Sequence, residues 1–261
     1  MKLYILTDLE GVAGVFDWQT YAESTSRYYE ESRILLTEEV NAAIEGAMEG
    51  GVDDILVWAG HGGGTSIKFE ILNPMAKLIG GSGTKYPCGL DSSFDMLFLI
   101  GNHSMEGTPN ANLNHTFSSK HIQGMKLNGK LIGEIGMIAA MAGWFNVPTV
   151  FISGDEAACN EAKKIMPKII TAPVKKGLGL FSAISLHPIK ARELIREKAR
   201  EATNKYKTIK PFKVKPPYTL EVEFRTTEGV TWRLGRKGIE KVNEKTIRVK
   251  SNDFIELLNS W

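Results

Sequence analysis

Cysteine is nearly absent from this chain. Two are present, Cys88 and Cys159, and neither belongs to a CxxC pair. That excludes a disulfide framework and a closed thiolate zinc site, and it fits a reducing, cytoplasmic compartment. Net charge is scarce too. Thirty-two Lys and Arg stand against 30 Asp and Glu, a formal +2, too little to draw the chain to nucleic acid. No apolar run is long enough to span a bilayer, and the N-terminus leads straight into strand-like sequence without a basic n-region or apolar h-region. The expectation is a chain with no membrane partner and no signal peptide. Internal repeats, low-complexity tracts, GxGxxG and the P-loop GK[ST] are also missing. Histidine is sparse, five in 261 residues, so the position of each one carries information.

What is present is an alternation of short apolar runs with helical patterns. Leu3–Thr7, Ile55–Trp58, Met96–Ile100 and Thr149–Ile152 read as strands buried on both faces, and Ile169–Ala172 as a fifth. Residues 27–49 read as a helix with Ile34, Leu35, Val40, Ala43, Ile44 and Ala47 at roughly helical spacing, stopped by Gly50-Gly51. Helices follow over 134–145, 155–166 (ended by Pro167) and 188–206. Residues 104–128 form a long connection rich in Gly, Asn, Ser and Thr, the kind of loop that often carries function. After the Pro- and Lys-rich stretch 210–217, alternating patterns at 219–226 and 246–249 predict half-buried antiparallel strands. The predicted class is α/β: a three-layer αβα core with a mainly parallel sheet over 1–207, and a smaller mixed α+β region over 208–261 packed on it.

The strand ends hold the chemistry. Asp8 and Glu10 close the first strand, two residues apart and so on one face, with Gly11 letting the chain turn. Paired carboxylates need a cation between them. His61 ends the second strand, His103 ends the third, and Glu134 opens a helix at a Gly-flanked turn. Open α/β sheets bind ligands beyond the carboxyl ends of their strands, so separate segments deliver these five to one rim. A catalytic zinc takes three protein ligands plus water. Five residues satisfy two such ions if one carboxylate bridges, and Asp8, short and central, is the choice. Imidazole and carboxylate donors suit Zn²⁺, with Mn²⁺ or Co²⁺ as alternatives.

Blander readings stand beside this one. A lone His after a strand is more often a hydrogen-bonding residue than a ligand. Gly60-His61-Gly62-Gly63-Gly64 reads alternatively as an anion loop of a nucleotide- or phosphate-binding module. Glu134 satisfies a helix dipole and Asp155 an N-cap; His187 punctuates a helix start, and His121 is structural.

The set Asp8-Leu9-Glu10-Gly11, Gly60-His61, Gly101-Asn102-His103, Asn114-His115 and Gly133-Glu134-Ile135-Gly136 resembles the motifs of the DppA-type D-aminopeptidases, the M55 family of zinc metallopeptidases. The resemblance runs from residue 1 to about 190. It implies two zinc ions per chain on Asp8, Glu10, His61, His103 and Glu134, and a catalytic histidine at His115. It also implies release of N-terminal D-amino acids from short peptides or aminoacyl amides, and homo-oligomeric rings built as decamers. Ala59 stands where members often carry Asp. Glu106, on the loop of His115, is a candidate to receive the substrate's amino group. The remaining alternatives are a dinuclear hydrolase of other amides or phosphoesters and a non-catalytic ring-forming scaffold.

Overall fold

The computed structural model describes residues 1–261. In chain order the strands are β1 Lys2–Thr7, β2 Asp54–Ala59, β3 Ala76–Ile79, β4 Met96–Asn102, β5 Ile122–Leu127, β6 Lys130–Leu131, β7 Thr149–Asp155, β8 Ile170–Gly179, β9 Ser182–Ser185, β10 Tyr218–Phe224, β11 Ile239–Asn243 and β12 Thr246–Ser251. The helices are α1 Tyr29–Glu49, α2 Glu134–Trp144, α3 Glu156–Ile165, α4 Pro188–Lys205, α5 Glu228–Thr231 and α6 Phe254–Asn259. No helix is long and apolar enough to cross a membrane.

Seven strands form one sheet in the order β3-β2-β1-β4-β7-β8-β9. All neighbours run parallel except the β8–β9 hairpin. Strand side chains alternate faces, and here each face finds its own core. Leu3, Ile5, Phe98 and Ile100 enter the core shared with α1 and α4. Tyr4, Leu6, Leu97 and Leu99 enter the one shared with α2 and α3. Strands buried on both sides need continuous apolar runs, which is why these were readable from sequence. Within α1, Leu36, Val40, Ile44 and Ala47 are buried without residual exposure; each large aliphatic there contributes about 1.5–3 kcal/mol relative to an exposed one.

The second sheet, five strands in the order β11-β12-β10-β5-β6, is antiparallel and packs on α2. It draws β5 and β6 from 122–131, so it crosses the division placed at 207/208 on sequence grounds. The expected long connection is thus a loop of nineteen residues, 103–121, leading into β5.

Strand order reverses between β1 and β4, because β2 and β3 lie on one side of β1 and β4 onward on the other. Ligand sites in open α/β sheets form at such switch points. The two strand ends approach closely there. A Cβ on Gly11 would lie 2.0 Å from the Asn102 carbonyl oxygen, and Gly101 has φ +74 with its Cβ direction facing the Asp8 carbonyl at 2.2 Å. Only glycine fits either position. Gly11 is therefore required by contact with β4 as well as by the turn.

Candidate metal centre

Asp8 and Glu10 lie just beyond the end of β1, in a turn held by Asp8 N to Ile100 O (2.8 Å) and Gly11 N to Gly101 O (2.7 Å). Strand alternation does not reach them; the turn aims both carboxylates at one imidazole instead. His61 Nδ1 is 2.9 Å from Glu10 Oε2 and 3.3 Å from Asp8 Oδ1. His103 Nε2 is 3.1 Å from Asp8 Oδ2 and 3.3 Å from Glu134 Oε1. His115 Nε2 stands 3.9 Å from both Glu10 Oε1 and Glu134 Oε1. The structure therefore brings all six sequence-selected residues together, and all but His103 line a cavity of about 440 Å³.

The other nitrogen of each ring decides what these contacts mean. His61 Nε2 meets Ala22 O at 2.8 Å, His103 Nδ1 meets Ser104 O at 2.9 Å, and His115 Nδ1 meets Leu113 O at 2.9 Å. A carbonyl only accepts, so in each ring that nitrogen carries the hydrogen. The nitrogen facing the carboxylates is then a lone pair in the neutral ring. Lone pair against carboxylate oxygen is repulsive unless a cation lies between. With the rings neutral, Glu10 Oε2 is buried without a hydrogen-bond donor, and a cation between it and His61 Nδ1 would satisfy both. Among these residues, two sets of three bring donor atoms within 4.8 Å of one another: Asp8, Glu10 and His103; and His103, His115 and Glu134.

Titration behaviour follows from the same field. Burial opposes a charged imidazole at His61 and His103, yet the carboxylates of Glu10, Asp8 and Glu134 raise both well above the ordinary histidine value. Burial likewise opposes ionisation of Asp8, but His103 and His61 hold it well below the usual carboxylate range. Glu134 is lowered in the same way, against burial, with His103 the main cause. Each shift reports a strong demand for positive charge at the ring nitrogens.

The surroundings fix these groups. The rings of His103 and His115 stack with centroids 3.9 Å apart, and Trp18 meets His115 edge-on at 5.6 Å. Phe117 N donates to Glu134 Oε1 at 2.6 Å, tying the loop after His115 to the start of α2. Gly133 precedes Glu134 because a Cβ there would lie 2.6 Å from Met105 Cβ.

Other expectations resolve individually. Asp155 caps α3 through Ala157 N (2.6 Å), His187 caps α4, and His121 bonds Ser118. The 60–64 run has φ of +59, +76 and +80 at Gly62, Gly63 and Gly64 but leads into no α-helix, so it lacks the helix N-terminus of an anion loop. Glu106 corrects its assignment: its carboxylate pairs with Arg225 at 2.7 Å and does not line the cavity. Sequence reasoning missed Trp18, and it missed Lys175, whose role appears only in three dimensions.

A family profile described as D-aminopeptidase, peptidase M55, matches residues 1–261. The chain belongs to this family. It is an M55 aminopeptidase in fold and class. It is 31% identical to the D-aminopeptidase of Bacillus subtilis (strain 168) over 98% of this chain and 93% of that one. It is also similar in structure to the Zn-dependent D-aminopeptidase DppA from Bacillus subtilis, a self-compartmentalizing protease. The TM-score there is 0.95 at 30% identity, covering 100% of this chain and 95% of that chain.

Proposed function

We propose that this M55 peptidase is a dinuclear zinc aminopeptidase that releases N-terminal D-amino acids from short peptides or aminoacyl amides. Asp8, Glu10, His61, His103 and Glu134 hold the metals, with Mn²⁺ or Co²⁺ as alternative ions. The position of Asp8 carries this reading. Its two oxygens face different imidazoles, His61 and His103, with Glu10 completing the first group and Glu134 the second. Grouped by their ring contacts, His61 with Glu10 and Asp8, and His103 with Glu134 and Asp8, the five side chains suit a carboxylate that would bridge two ions.

Zinc bound there supplies a Lewis acid for the scissile carbonyl and makes water acidic enough to be ionised near neutral pH. The chain's own residues do the rest. His115 keeps its Nδ1 hydrogen on Leu113 O, so Nε2 is the atom that takes and returns a proton. Such proton transfer accelerates hydrolysis about 10²–10⁴-fold. Stacking on His103 and the edge of Trp18 hold that ring in place and keep water from one side of it.

Assembly follows the relative described as self-compartmentalizing, and a homo-oligomeric ring, a decamer by family resemblance, is proposed here as well. Leu178, Phe181 and Ile184 on the β8–β9 hairpin are 57–61% exposed, an apolar surface suited to burial between copies. Segment 1–207 is read as the catalytic core, lending β5 and β6 to the sheet that 208–261 completes behind it, in a cytoplasmic protein.

The test combines metal analysis with a substrate panel. Purified protein should carry about two zinc ions per chain. D-aminoacyl amides should be cleaved, L-aminoacyl amides and p-nitrophenyl phosphate poorly or not at all, and chelator should abolish turnover. Activity that survives complete metal removal would sink the reading, and a preference for the phosphate ester would move it to phosphoester hydrolysis.

A further inference from the structure

The cavity beside the metal centre is lined by four carboxylates, Asp8, Glu10, Glu23 and Glu134, but by only one lysine or arginine, Lys120. Lys120 Nζ pairs with Glu23 at 2.9 Å, and its side chain is 71% exposed, against 36% for Glu23. The two residues come from different segments. Glu23 follows the short helical turn Trp18–Ala22, with its N–H on Trp18 O at 2.8 Å. Lys120 lies in the loop that leaves His115.

Both anchors are firm. The turn from Ser118 to His121 closes on itself through Ile122 N to Ser118 O (3.0 Å) and Ser118 Oγ to His121 Nδ1 (2.9 Å). Arg225 N donates to His121 O at 2.9 Å from the second sheet, and Trp261 packs edge-on against Phe117 at 5.4 Å. One end of this loop is tied to Glu134 through Phe117 N. A flexible ammonium is thus presented into the cavity from a fixed base.

A short peptide is a zwitterion. Its C-terminal carboxylate, entering a cavity lined with carboxylates, meets repulsion everywhere except at a cation. Asp8, Glu10 and Glu134 belong to the proposed metal centre, and beyond it Lys120 is the one Lys or Arg that lines the cavity. Its present partner is weakly held, because exposed ion pairs gain little over their solvated state. The geometry points to Lys120 as the residue that binds the free C-terminal carboxylate of a short peptide substrate, with Glu23 holding the ammonium in position until the substrate replaces it. This inference rests on the aminopeptidase reading above and adds a selectivity to it: free peptide acids over the same peptides with a blocked C-terminus.

Steady-state kinetics of the zinc-loaded protein on a D-alanyl dipeptide and on its C-terminal amide test the assignment. In wild type the acid should have the lower KM. Lys120→Met should lower the acid-to-amide ratio of kcat/KM about tenfold, chiefly through KM, as expected for losing one charge-assisted contact at a solvated site. Lys120→Arg should restore most of the ratio. Glu23→Gln should lower the KM of the acid relative to the amide, because it removes the competing carboxylate. Acid and amide falling by the same factor in Lys120→Met, or a ratio that does not move, overturns the assignment. Wild type cleaving the amide but showing no preference for the acid also overturns it while leaving the aminopeptidase reading intact. Wild type cleaving neither removes both.

Discussion

Glu10 belongs to two buried charge arrangements that face opposite ways. Its carboxylate enters the histidine cluster, where lone pairs and anions face one another and Oε2 has no donor. Its backbone carbonyl belongs to a second group centred on Lys175. Lys175 Nζ donates to Glu10 O and Val15 O at 2.5 Å and to Asn112 Oδ1 at 2.7 Å. Three hydrogens meet three acceptors, and the ammonium is fully used although burial lowers its pKa to about 8. Asn112 then passes the order outward through Phe16 O and Leu180 O, while its own N–H rests on Asp155. One side of Glu10 is electrostatically complete, and the other is complete only with added cations. A buried polar group that lacks its partner within the chain marks where a ligand is expected; one that has every partner marks scaffolding.

The sharpest way to break this contrast is to remove the shared carboxylate. Asp8→Ala should lose most bound zinc by metal analysis and reduce kcat/KM by about 10³-fold or more. His115→Ala should lower kcat by about 10²–10⁴-fold while zinc content holds. If zinc leaves with His115, that residue is a ligand, as its grouping with His103 and Glu134 allows.

On the scaffold side the readout changes from activity to stability. Lys175→Met leaves three buried acceptors without a donor and should cost about 2–4 kcal/mol in urea unfolding of the metal-free protein. Asp8→Ala should cost that same metal-free protein less, because the imidazoles it pairs with keep Glu10 and Glu134 as partners. Equal costs would erase the distinction between the two sides of Glu10.

A further expected effect, confined to one pH window, concerns Glu39 of α1, which accepts from Ala13 N at 2.9 Å and is pushed by burial from 4.5 up to about 8. The folded chain keeps this proton at pH values where the unfolded chain has released it. Stability should therefore fall as pH rises from about 4.5 to about 8 and level off above. In Glu39→Gln the Tm gap to wild type should shift in the variant's favour across that window. A gap independent of pH would show that Glu39 ionises normally.

Much of the histidine–carboxylate cluster was legible in the sequence, because Asp8, His61 and His103 lie just past apolar strands and Glu134 opens a helix, positions that α/β topology turns into one rim. The scaffold side was not. Lys175 lies in β8, where a lysine between Val174 and Lys176 reads as a solvent-facing residue, and its partners come from loops at 10, 15 and 112. β3 was missed because its four residues carry no periodic signal. The pairing of β5 with β10, which sets Leu127 beside Leu220, joins segments about ninety residues apart and leaves no local trace. Arg225 took Glu106 out of the site by the same kind of distant contact.

The bond from His61 to the Ala22 carbonyl ties the proposed metal shell to the segment that carries Trp18 and Glu23. With the metal held as proposed, its occupancy and the docking of that segment are one linked equilibrium. Whatever orders the entrance raises affinity for the ion, and the ion repays the same free energy to the entrance. A zinc titration of this protein is at the same time a measurement of how firmly its doorway is assembled.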